Sequence, residues 1–273
     1  MIIYSENFDQ VKDAADLIEL FGYSFYRYTN YGRTLSTYYL SEDVSISDVN
    51  PNTEMVENIG DMQGRSLYGE KPFAMYLPEF KPSKRIILGM SIGSGTYAET
   101  QERYTSEAYL YERSFMSNCR FRISFKSDKM ENYTTLEESG VLFSILFSAN
   151  NKTIDISFDN HNENLTAISP EEGVPFNVYR KNFFEVYVDS QGADSGTGTV
   201  KVAINGQVVA ERENVITSNY EGWGGDAMAE GSFFKHLLVG LGSSSDDWIP
   251  DMIVDSIYVC NEEGGVHDDF LGP

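Results

Sequence analysis

The order of apolar and polar residues predicts a short strand and then one helix at the start of the chain. The first residues are predicted to form the strand, and Asp9 stands where a helix N-cap is expected. From Val11 to Phe21 the apolar side chains recur at intervals of three and four residues, which is typical of an amphipathic helix. Gly22 is the residue type that commonly ends a helix. We therefore expect one helix of about three turns.

Beyond this helix the apolar residues recur at every second position, which predicts strands. The alternation is clearest at 119–125, where Phe121, Ile123 and Phe125 share one face. Asn205-Gly206 is the pair most typical of a two-residue hairpin turn. Strands are predicted at 119–125, 141–147, 154–158, 184–188, 199–204, 207–210, 237–241 and 253–260. Short strands with little helix between them predict an all-β sandwich or barrel.

The whole chain, residues 1–273, is expected to form a single domain. Its most polar segment, 41–61, is rich in Ser, Asp, Asn and Glu. Strand-like alternation of the same style lies on both sides of that segment. We therefore interpret 41–61 as a long surface loop of one domain rather than as a linker between two.

Composition narrows the classes of function. The 273 residues include 20 basic and 42 acidic side chains, and a net charge of −22 disfavours binding to nucleic acid or to an anionic membrane. Two cysteines and three histidines are too few for a disulfide-rich scaffold or a metalloenzyme. Cys119 and Cys260 are interpreted as buried free thiols, and no cofactor is predicted. The start of the chain lacks a signal-peptide pattern, so synthesis as a soluble protein in a cytoplasm is expected.

Three patterns that suggest catalysis have simpler interpretations. Residues 89–93 read G-M-S-I-G, the nucleophile-elbow pattern of α/β-hydrolases, but no alternation of strands and helices surrounds them. We interpret them as part of a strand. Glu185 with Asp189, and Asp251 with Asp255, share strand faces, but four strand residues span about 13 Å, further than paired glycosidase carboxylates lie. No catalytic residues are predicted.

Three aromatic residues are candidates for contacts with a ligand or a partner. Tyr220, Trp223 and Trp248 lie in glycine-rich segments that are predicted as exposed loops. Exposed aromatic side chains stack on sugars and also anchor subunit interfaces. Sugar binding, interface formation and simple core packing all remain open for these three residues.

An acidic cluster surrounds Trp248. It consists of Asp246, Asp247, Asp251 and Asp255. Calcium binds carboxylates of this kind, but the spacing matches no defined calcium-binding loop. A structural Ca²⁺ is therefore possible but not predicted.

The closing stretch of the chain resembles that of a known family. Residues 254–272, VDSIYVCNEEGGVHDDFLG, are similar to the end of bacteriophage virion proteins built on a concanavalin A-like (laminin-G-like) jelly roll. In those proteins a last core strand ending in Tyr-Val leads through a Gly turn to N-D-F-L-G. The opening strand and helix, Gly64-Arg65, 183–188 and 200–206 match further landmarks in order, although the family often has Asp or Asn where Ser256 stands.

The resemblance implies a fold and a function. The implied fold is a concanavalin A-like jelly-roll β-sandwich of two antiparallel sheets with one short N-terminal helix. The implied function is that of a non-enzymatic structural subunit of a bacteriophage virion. It would decorate the capsid or belong to the tail, contact other virion proteins, and be present as a homo-oligomer or in many copies. The family motif carries no established catalytic residues, so none are transferred.

Two other functions stay in view. The alternative is a carbohydrate-binding or receptor-recognition module on the virion surface that binds a host glycan through its loop aromatics. A glycoside hydrolase of the same sandwich class ranks last. For the last strand, period-two alternation predicts that Ile253, Ile257 and Val259 face the core while Tyr258 lies on the opposite face.

Overall fold

The computed structural model shows sixteen strands and one short helix in the residues that it describes. The helix is α1 (Ala14–Glu19). The strands are β1 (Ile2–Glu6), β2 (Ser24–Thr29), β3 (Thr34–Thr37), β4 (Val44–Asp48), β5 (Arg65–Gly69), β6 (Phe73–Tyr76), β7 (Arg85–Gly95), β8 (Cys119–Lys126), β9 (Val141–Asn150), β10 (Thr153–Asp159), β11 (Thr166–Ile168), β12 (Asn182–Ser190), β13 (Thr197–Ile204), β14 (Gln207–Ile216), β15 (His236–Ser243) and β16 (Asp251–Asn261). The described residues are 2–6, 8, 11, 14–29, 34–37, 44–48, 65–69, 73–95, 119–126, 141–150, 153–159, 166–168, 182–190, 197–217, 233–243, 251–262 and 269–272.

The strands form two antiparallel sheets. Sheet A has the order β14-β13-β12-β7-β16-β5-β4, and β1 also pairs with β16. Sheet B has the order β11-β10-β9-β8-β15-β6-β2-β3. Neighbours in these orders are often far apart in the chain, as for β7 beside β16, which is typical of a jelly roll rather than of a simple meander. The predicted all-β jelly-roll sandwich with a short N-terminal helix is confirmed.

The core lies between the facing sides of the two sheets. Phe121 of β8 stacks on Phe147 of β9, with ring centroids 4.2 Å apart. Phe184, on β12 of sheet A, packs edge-on against Phe121 of sheet B, with ring centroids 4.8 Å apart. Buried aromatic pairs of this geometry contribute about 0.5–1.5 kcal/mol beyond the area that they bury. The alternating apolar residues of both sheets therefore close a continuous core.

The helix is shorter than the apolar spacing predicts. It ends in a Schellman motif, in which Tyr23 N donates to Leu17 O at 3.0 Å and Gly22 N donates to Ile18 O at 3.1 Å. Gly22 has φ +78° and ends the helix as expected. Phe21 is consequently exposed instead of buried on the helix face. Within the described residues, no helix is long and apolar enough to cross a membrane.

Two further expectations meet different outcomes. Asn205 and Gly206 have φ of 50° and 79° and join β13 to β14, which confirms the predicted two-residue hairpin. Part of the segment 41–61 is not a loop, because Val44–Asp48 forms strand β4 and pairs with β5. The remainder of that segment lies outside the described residues.

The last strand contains a bulge that simple alternation does not predict. Ile257 and Val259 are buried in the core, and Tyr258 lies on the opposite face of sheet A, as predicted. Val254 also faces the core, because the pairing register of β16 with β7 shifts between Asp255 and Ile257. One extra residue therefore separates the two halves of the strand. The side chain of Ile253 lies outside the described part of the chain.

Candidate functional site

Most of the loop residues proposed from the sequence lie outside the described residues. These residues are Tyr220, Trp223, Trp248, Asp246 and Asp247. The contacts of Tyr220, Trp223 and Trp248 with a ligand or a partner stay predictions, and no calcium site is predicted at Asp246 and Asp247. Among the residues that the structure does describe, no group of three His, Cys, Asp or Glu side chains is placed to hold a metal ion.

The nucleophile-elbow pattern is part of a strand, as interpreted. Residues 89–93 lie within β7, which continues to Gly95. An elbow requires a sharp turn from a strand into a helix, and β7 has none. Ser91 is buried in the middle of the strand, with Phe183 and Asp255 as its cross-strand neighbours. Because Ser91 is buried within the strand, we do not assign it a role as a nucleophile.

The acids that share a strand face have separate partners. The Glu185 carboxylate accepts hydrogen bonds from the Tyr258 hydroxyl and from Gly272 N. Asp189 accepts one from the Tyr187 hydroxyl at 3.1 Å. The pair therefore does not form a glycosidase-type carboxylate couple. Asp255 is buried, and the side chain of Asp251 lies outside what the structure describes.

A polar cluster on the outer face of sheet B is the strongest candidate site. Lys126 ends β8, Tyr76 ends β6, and His236 begins β15, the strand between them. Each of the three is the neighbour in sequence of a core residue, so that strand alternation turns its side chain away from the core. The pairing register sets Lys126 directly opposite His236.

The three side chains are held in contact with one another. Lys126 Nζ donates a hydrogen bond of 2.8 Å to the Tyr76 hydroxyl oxygen. The His236 ring meets the Tyr76 ring edge-on at 6.2 Å, and Tyr26 packs against Tyr76 in the same manner at 5.7 Å. Lys126 and Tyr76 are 0% exposed and His236 is 5% exposed. An ammonium group in such surroundings is stable only where hydrogen bonds replace its water.

The face around this cluster is basic although the chain as a whole is acidic. Among the described side chains that β2, β6, β8 and β15 turn outward, the basic ones are Arg122, Lys126 and His236, and none is acidic. Ser124 lies between the first two, and its hydroxyl bonds that of Ser144 at 2.9 Å. The basic groups favour an anionic ligand.

Sequence patterns do not reveal this cluster. Tyr76 and Lys126 are 50 residues apart, and only the placement of β15 between β6 and β8 brings them together. The alternating Arg122-Ile123-Ser124-Phe125-Lys126 stretch carries a weak signal, because two basic residues point to the same face. The same pattern describes an ordinary solvated strand, so it does not distinguish a site from a surface.

A second polar cluster lies on the outer face of sheet A and holds the last described residues of the chain. Tyr258 and Glu185 form a buried hydroxyl–carboxylate pair. Leu271 N donates to the Tyr258 hydroxyl oxygen at 3.3 Å, and Gly272 N donates to Glu185 Oε1 at 2.9 Å. Burial and the bond to Glu185 raise the pKa of Tyr258 well above its usual value. Both side chains accept hydrogen bonds from backbone N–H groups, so this cluster holds the last described residues against sheet A.

The comparisons with known proteins bear on the fold. No protein-family model and no curated protein matches the sequence. Solved structures similar to this chain include the alginate lyase Aly36B in complex with an alginate trisaccharide, with a TM-score of 0.52, 9% identity, and 94% of this chain and 97% of that one covered. Another is the globular domain of T. cruzi calreticulin, with a TM-score of 0.51, 10% identity, and 96% and 88% covered.

A third similar structure comes from a virus. It is a carbohydrate esterase from the Shiga toxin-encoding bacteriophage phi24B, with a TM-score of 0.50, 10% identity, and 95% of this chain and 97% of that one covered. At these identities the likeness shows the sandwich fold. The prediction that the chain is not an enzyme is wrong as an inference from this fold, because the lyase and the esterase are enzymes that act on carbohydrates.

Proposed function

We propose that this protein binds an acidic carbohydrate at the outer face of sheet B and acts on it. The observation that carries the proposal is the buried hydrogen bond from Lys126 to Tyr76 beside His236, on a face whose described side chains include no acid. A chain of net charge −22 that concentrates basic groups at one place has a local preference for an anion there. The sandwich neighbours that act on carbohydrates support the choice of ligand class.

The binding chemistry follows from the residue types. A uronate carboxylate would pair with the Arg122 guanidinium and the Lys126 ammonium through charge-assisted hydrogen bonds. The Tyr26 ring lies beside the cluster and supplies an aromatic surface of the kind on which sugar rings pack. A neutral sugar lacks the carboxylate that forms these charge-assisted bonds, so weaker binding of a neutral sugar is expected.

The same residues can support a β-elimination. Pairing the uronate carboxylate with Lys126 and Arg122 acidifies the carbon next to it. The Tyr76 oxygen, which accepts the hydrogen bond from Lys126, acts as the base once its own proton has left, and takes the proton from that carbon. A carbon–carbon double bond forms as the bond to the glycosidic oxygen breaks, and the leaving oxygen takes up the proton that the tyrosine received. The His236 ring lies edge-on against Tyr76.

The burial of Tyr76 and Lys126 affects the rate at which a ligand can bind. Tyr76 and Lys126 are wholly shielded from solvent, so a ligand must displace whatever covers them. Association that requires a conformational change is slower than the usual range of about 10⁵–10⁷ M⁻¹s⁻¹ for specific docking. Slow association that reaches a plateau with rising ligand concentration is therefore expected for the wild-type chain.

A set of single substitutions tests the proposal. Wild type is titrated with alginate or polygalacturonate oligosaccharides and with neutral cello-oligosaccharides, and the unsaturated product is followed by its ultraviolet absorbance. Lys126→Met should weaken acidic-glycan binding about tenfold or more, while Tyr76→Phe should keep binding and lose product formation. Lys201→Met is the matched control, because Lys201 lies on sheet A and pairs with Glu211.

The outcomes separate clearly. Equal binding of neutral and acidic oligosaccharides, or no binding by folded wild type, would contradict the proposal. Binding without any product would restrict the protein to a lectin-like role. Loss of binding in Lys201→Met as large as in Lys126→Met would show that the effect is not specific to the outer face of sheet B.

We also propose that the protein is carried on a bacteriophage particle. The support is the resemblance of the closing stretch together with the way in which Tyr258 holds Leu271 and Glu185 holds Gly272, since Leu271 and Gly272 belong to one motif. A glycan-binding subunit on the particle would unite the resemblance with the basic face of sheet B. Mass spectrometry of purified particles tests the location, and absence of the chain from them would end the idea.

A further inference from the structure

The structure assigns a second binding site, a peptide groove on the outer face of sheet A, and we infer that the same groove accepts the chain end of a second copy. The groove is lined by Ile87, Phe183, Glu185, Tyr258 and Cys260. Its resident ligand is the D-F-L-G segment, residues 269–272, of the same chain. Four features of the groove support the inference.

The first feature is an apolar pocket for one aromatic side chain. Phe270 packs against the cluster formed by Ile87, Phe183, Tyr258 and Cys260. Phe183 also stacks on Tyr258 with ring centroids 6.1 Å apart, so that the pocket has two aromatic walls. An aromatic side chain inserted into a preformed apolar pocket is the usual anchor of a peptide ligand.

The second feature is a pair of acceptors for consecutive backbone N–H groups. Leu271 N donates to the Tyr258 hydroxyl, and Gly272 N donates to Glu185 Oε1. Glu185 is 0% exposed, and its other oxygen, Oε2, is buried and accepts no hydrogen bond from the described residues. A carboxylate in such a place is stabilised by the donors that reach it, so the groove gains most when a peptide backbone fills it.

The third feature is the shape of the groove floor. A Cβ built at Gly89 would lie 2.0 Å from Cε1 of Tyr258. Only glycine at that position lets the Tyr258 ring lie flat enough for its hydroxyl to reach both Glu185 and Leu271. The floor of the groove is therefore shaped by the sequence of β7, independently of the peptide.

The fourth feature is charge complementarity at the entrance. The charge of Asp269 acts on Lys201, although the bond to Glu211 is the larger cause of the raised pKa of that lysine. Lys201 is 32% exposed, which leaves it accessible to an incoming acid. The groove thus contacts one aromatic side chain and two consecutive backbone N–H groups, with an acidic residue on the Lys201 side.

The connection between the groove and its ligand is short. β16 ends at Asn261 and the ligand begins at Asp269. The intervening sequence contains Gly264-Gly265, and the six residues 263–268 reach at most about 20 Å. A tethered segment has an effective concentration in the millimolar range, so the chain's own end fills the groove in dilute solution. For the end of a second copy to bind instead, as in domain swapping, its local concentration must be comparable to that effective concentration, or the groove must be empty.

Complementary full-length variants test the inference. The acceptor is Phe270→Asp, whose own end can no longer fill the pocket. The donor is Phe183→Glu, whose groove is blocked but whose D-F-L-G segment is intact. Each variant alone should be a monomer by light scattering, and an equimolar mixture should form a one-to-one heterodimer. Wild type mixed with the acceptor should form far less heterodimer, because the wild-type groove retains the wild-type chain end.

A peptide measurement makes the test independent of the donor. A synthetic peptide of residues 266–273 should bind the acceptor and not wild type, and Phe270→Ala in that peptide should weaken binding about tenfold or more. If Phe270→Asp fails to fold, Phe270→Ala in the full chain serves as the acceptor. A folded acceptor that binds neither the peptide nor the donor overturns the inference. Acidic-glycan binding by the acceptor should be unchanged. The experiment therefore distinguishes failure of the peptide groove from failure of the proposed glycan site.

Discussion

Gly89 and Tyr258 face each other across β7 and β16, and the phenol ring fills the space that any side chain at position 89 would need. The two residues are a register pair, and a Cβ on Gly89 would lie 2.0 Å from the Tyr258 ring. Atoms do not approach so closely, so the ring would have to move. The glycine that begins the nucleophile-elbow pattern is therefore required for packing, and it positions the hydroxyl that holds the chain end.

The first prediction concerns that contact. Gly89→Ala should lower the free energy of unfolding by about 1–3 kcal/mol, because overpacking shifts the Tyr258 ring. The displaced hydroxyl should release Leu271, so limited proteolysis should remove the C-terminal residues faster than in wild type. Chemical denaturation and mass spectrometry of the digest measure the two effects.

Ser91→Ala is the matched control for Gly89→Ala. Ser91 lies on the same strand, and its buried hydroxyl has no hydrogen-bond partner among the described residues. Removing it should change stability by less than about 0.5 kcal/mol or raise it slightly, since an unsatisfied buried polar group is costly. A loss from Ser91→Ala as large as that from Gly89→Ala would contradict this explanation of the glycine.

The second prediction concerns the bulge in β16. Ser256 has φ +46° at the point where the register of β16 with β7 shifts. Asn and Asp tolerate this left-handed conformation better than most residues. Ser256→Asn should therefore raise the free energy of unfolding by about 0.5–1 kcal/mol. The conformation also gives a physical reason for the Asp or Asn that the resembling family often has there.

A β-branched residue at the same position provides the opposite case. Ser256→Val should lower stability, because a left-handed backbone is a steric outlier for valine. Thermal melts of the three proteins at one pH would rank them Asn, Ser, Val from most to least stable. Equal melting temperatures would show that the bulge carries no backbone strain.

The third prediction concerns alkaline pH. Burial and the neighbouring Asp189 raise the pKa of Tyr187 to about 12 from a usual value of 10.0. The folded chain thus keeps a proton that the unfolded chain releases, so this contribution to stability is complete below pH 10 and is lost as the pH rises toward about 12. Tyr258, whose pKa is also raised, adds to the same loss.

Thermal melting between about pH 9 and pH 11 measures this loss. Tyr187→Phe removes one titrating group, so its melting temperature should fall less steeply over that range than that of wild type. Near neutral pH the variant should lose the hydrogen bonds of the hydroxyl with Asp189 and Arg85, each about 0.5–1.5 kcal/mol. Parallel curves for the two proteins across the alkaline range would rule out Tyr187 as a contributor.

Local patterns predict most strands but not the features that depend on partners. The alternation at Phe121, Ile123 and Phe125 correctly predicts β8, because period two follows from strand geometry alone. The bulge at Ser256 is missed, because the pairing of β16 with β7 decides which residues on each side of the bulge face the core. The exposed Phe21 is misassigned to a helix face for a different reason, because the Schellman turn ends the helix before it.

The candidate site is predicted even less well, for a topological reason. Lys126 and Tyr76 meet only because β15 separates β8 from β6 in sheet B. No spacing within the chain encodes that order of strands. The aromatic residues Tyr220, Trp223 and Trp248 attract attention by composition alone, whereas a buried lysine has no compositional signature.

The last prediction concerns the strand on which the resemblance rests. Ile257 is 2% exposed and packs in the core between the sheets. Ile257→Asp would bury a carboxylate without a counter-charge, which costs several kcal/mol, a large share of a typical stability of about 5–15 kcal/mol. The variant should be insoluble or should melt far below wild type. Val208→Asp is the control, because Val208 is 49% exposed on β14, and a surface substitution there should change stability by less than about 0.5 kcal/mol. Soluble Ile257→Asp protein with unchanged melting would mean that β16 is not a core strand, and the resemblance of residues 254–272 to a closing core strand would lose its physical basis.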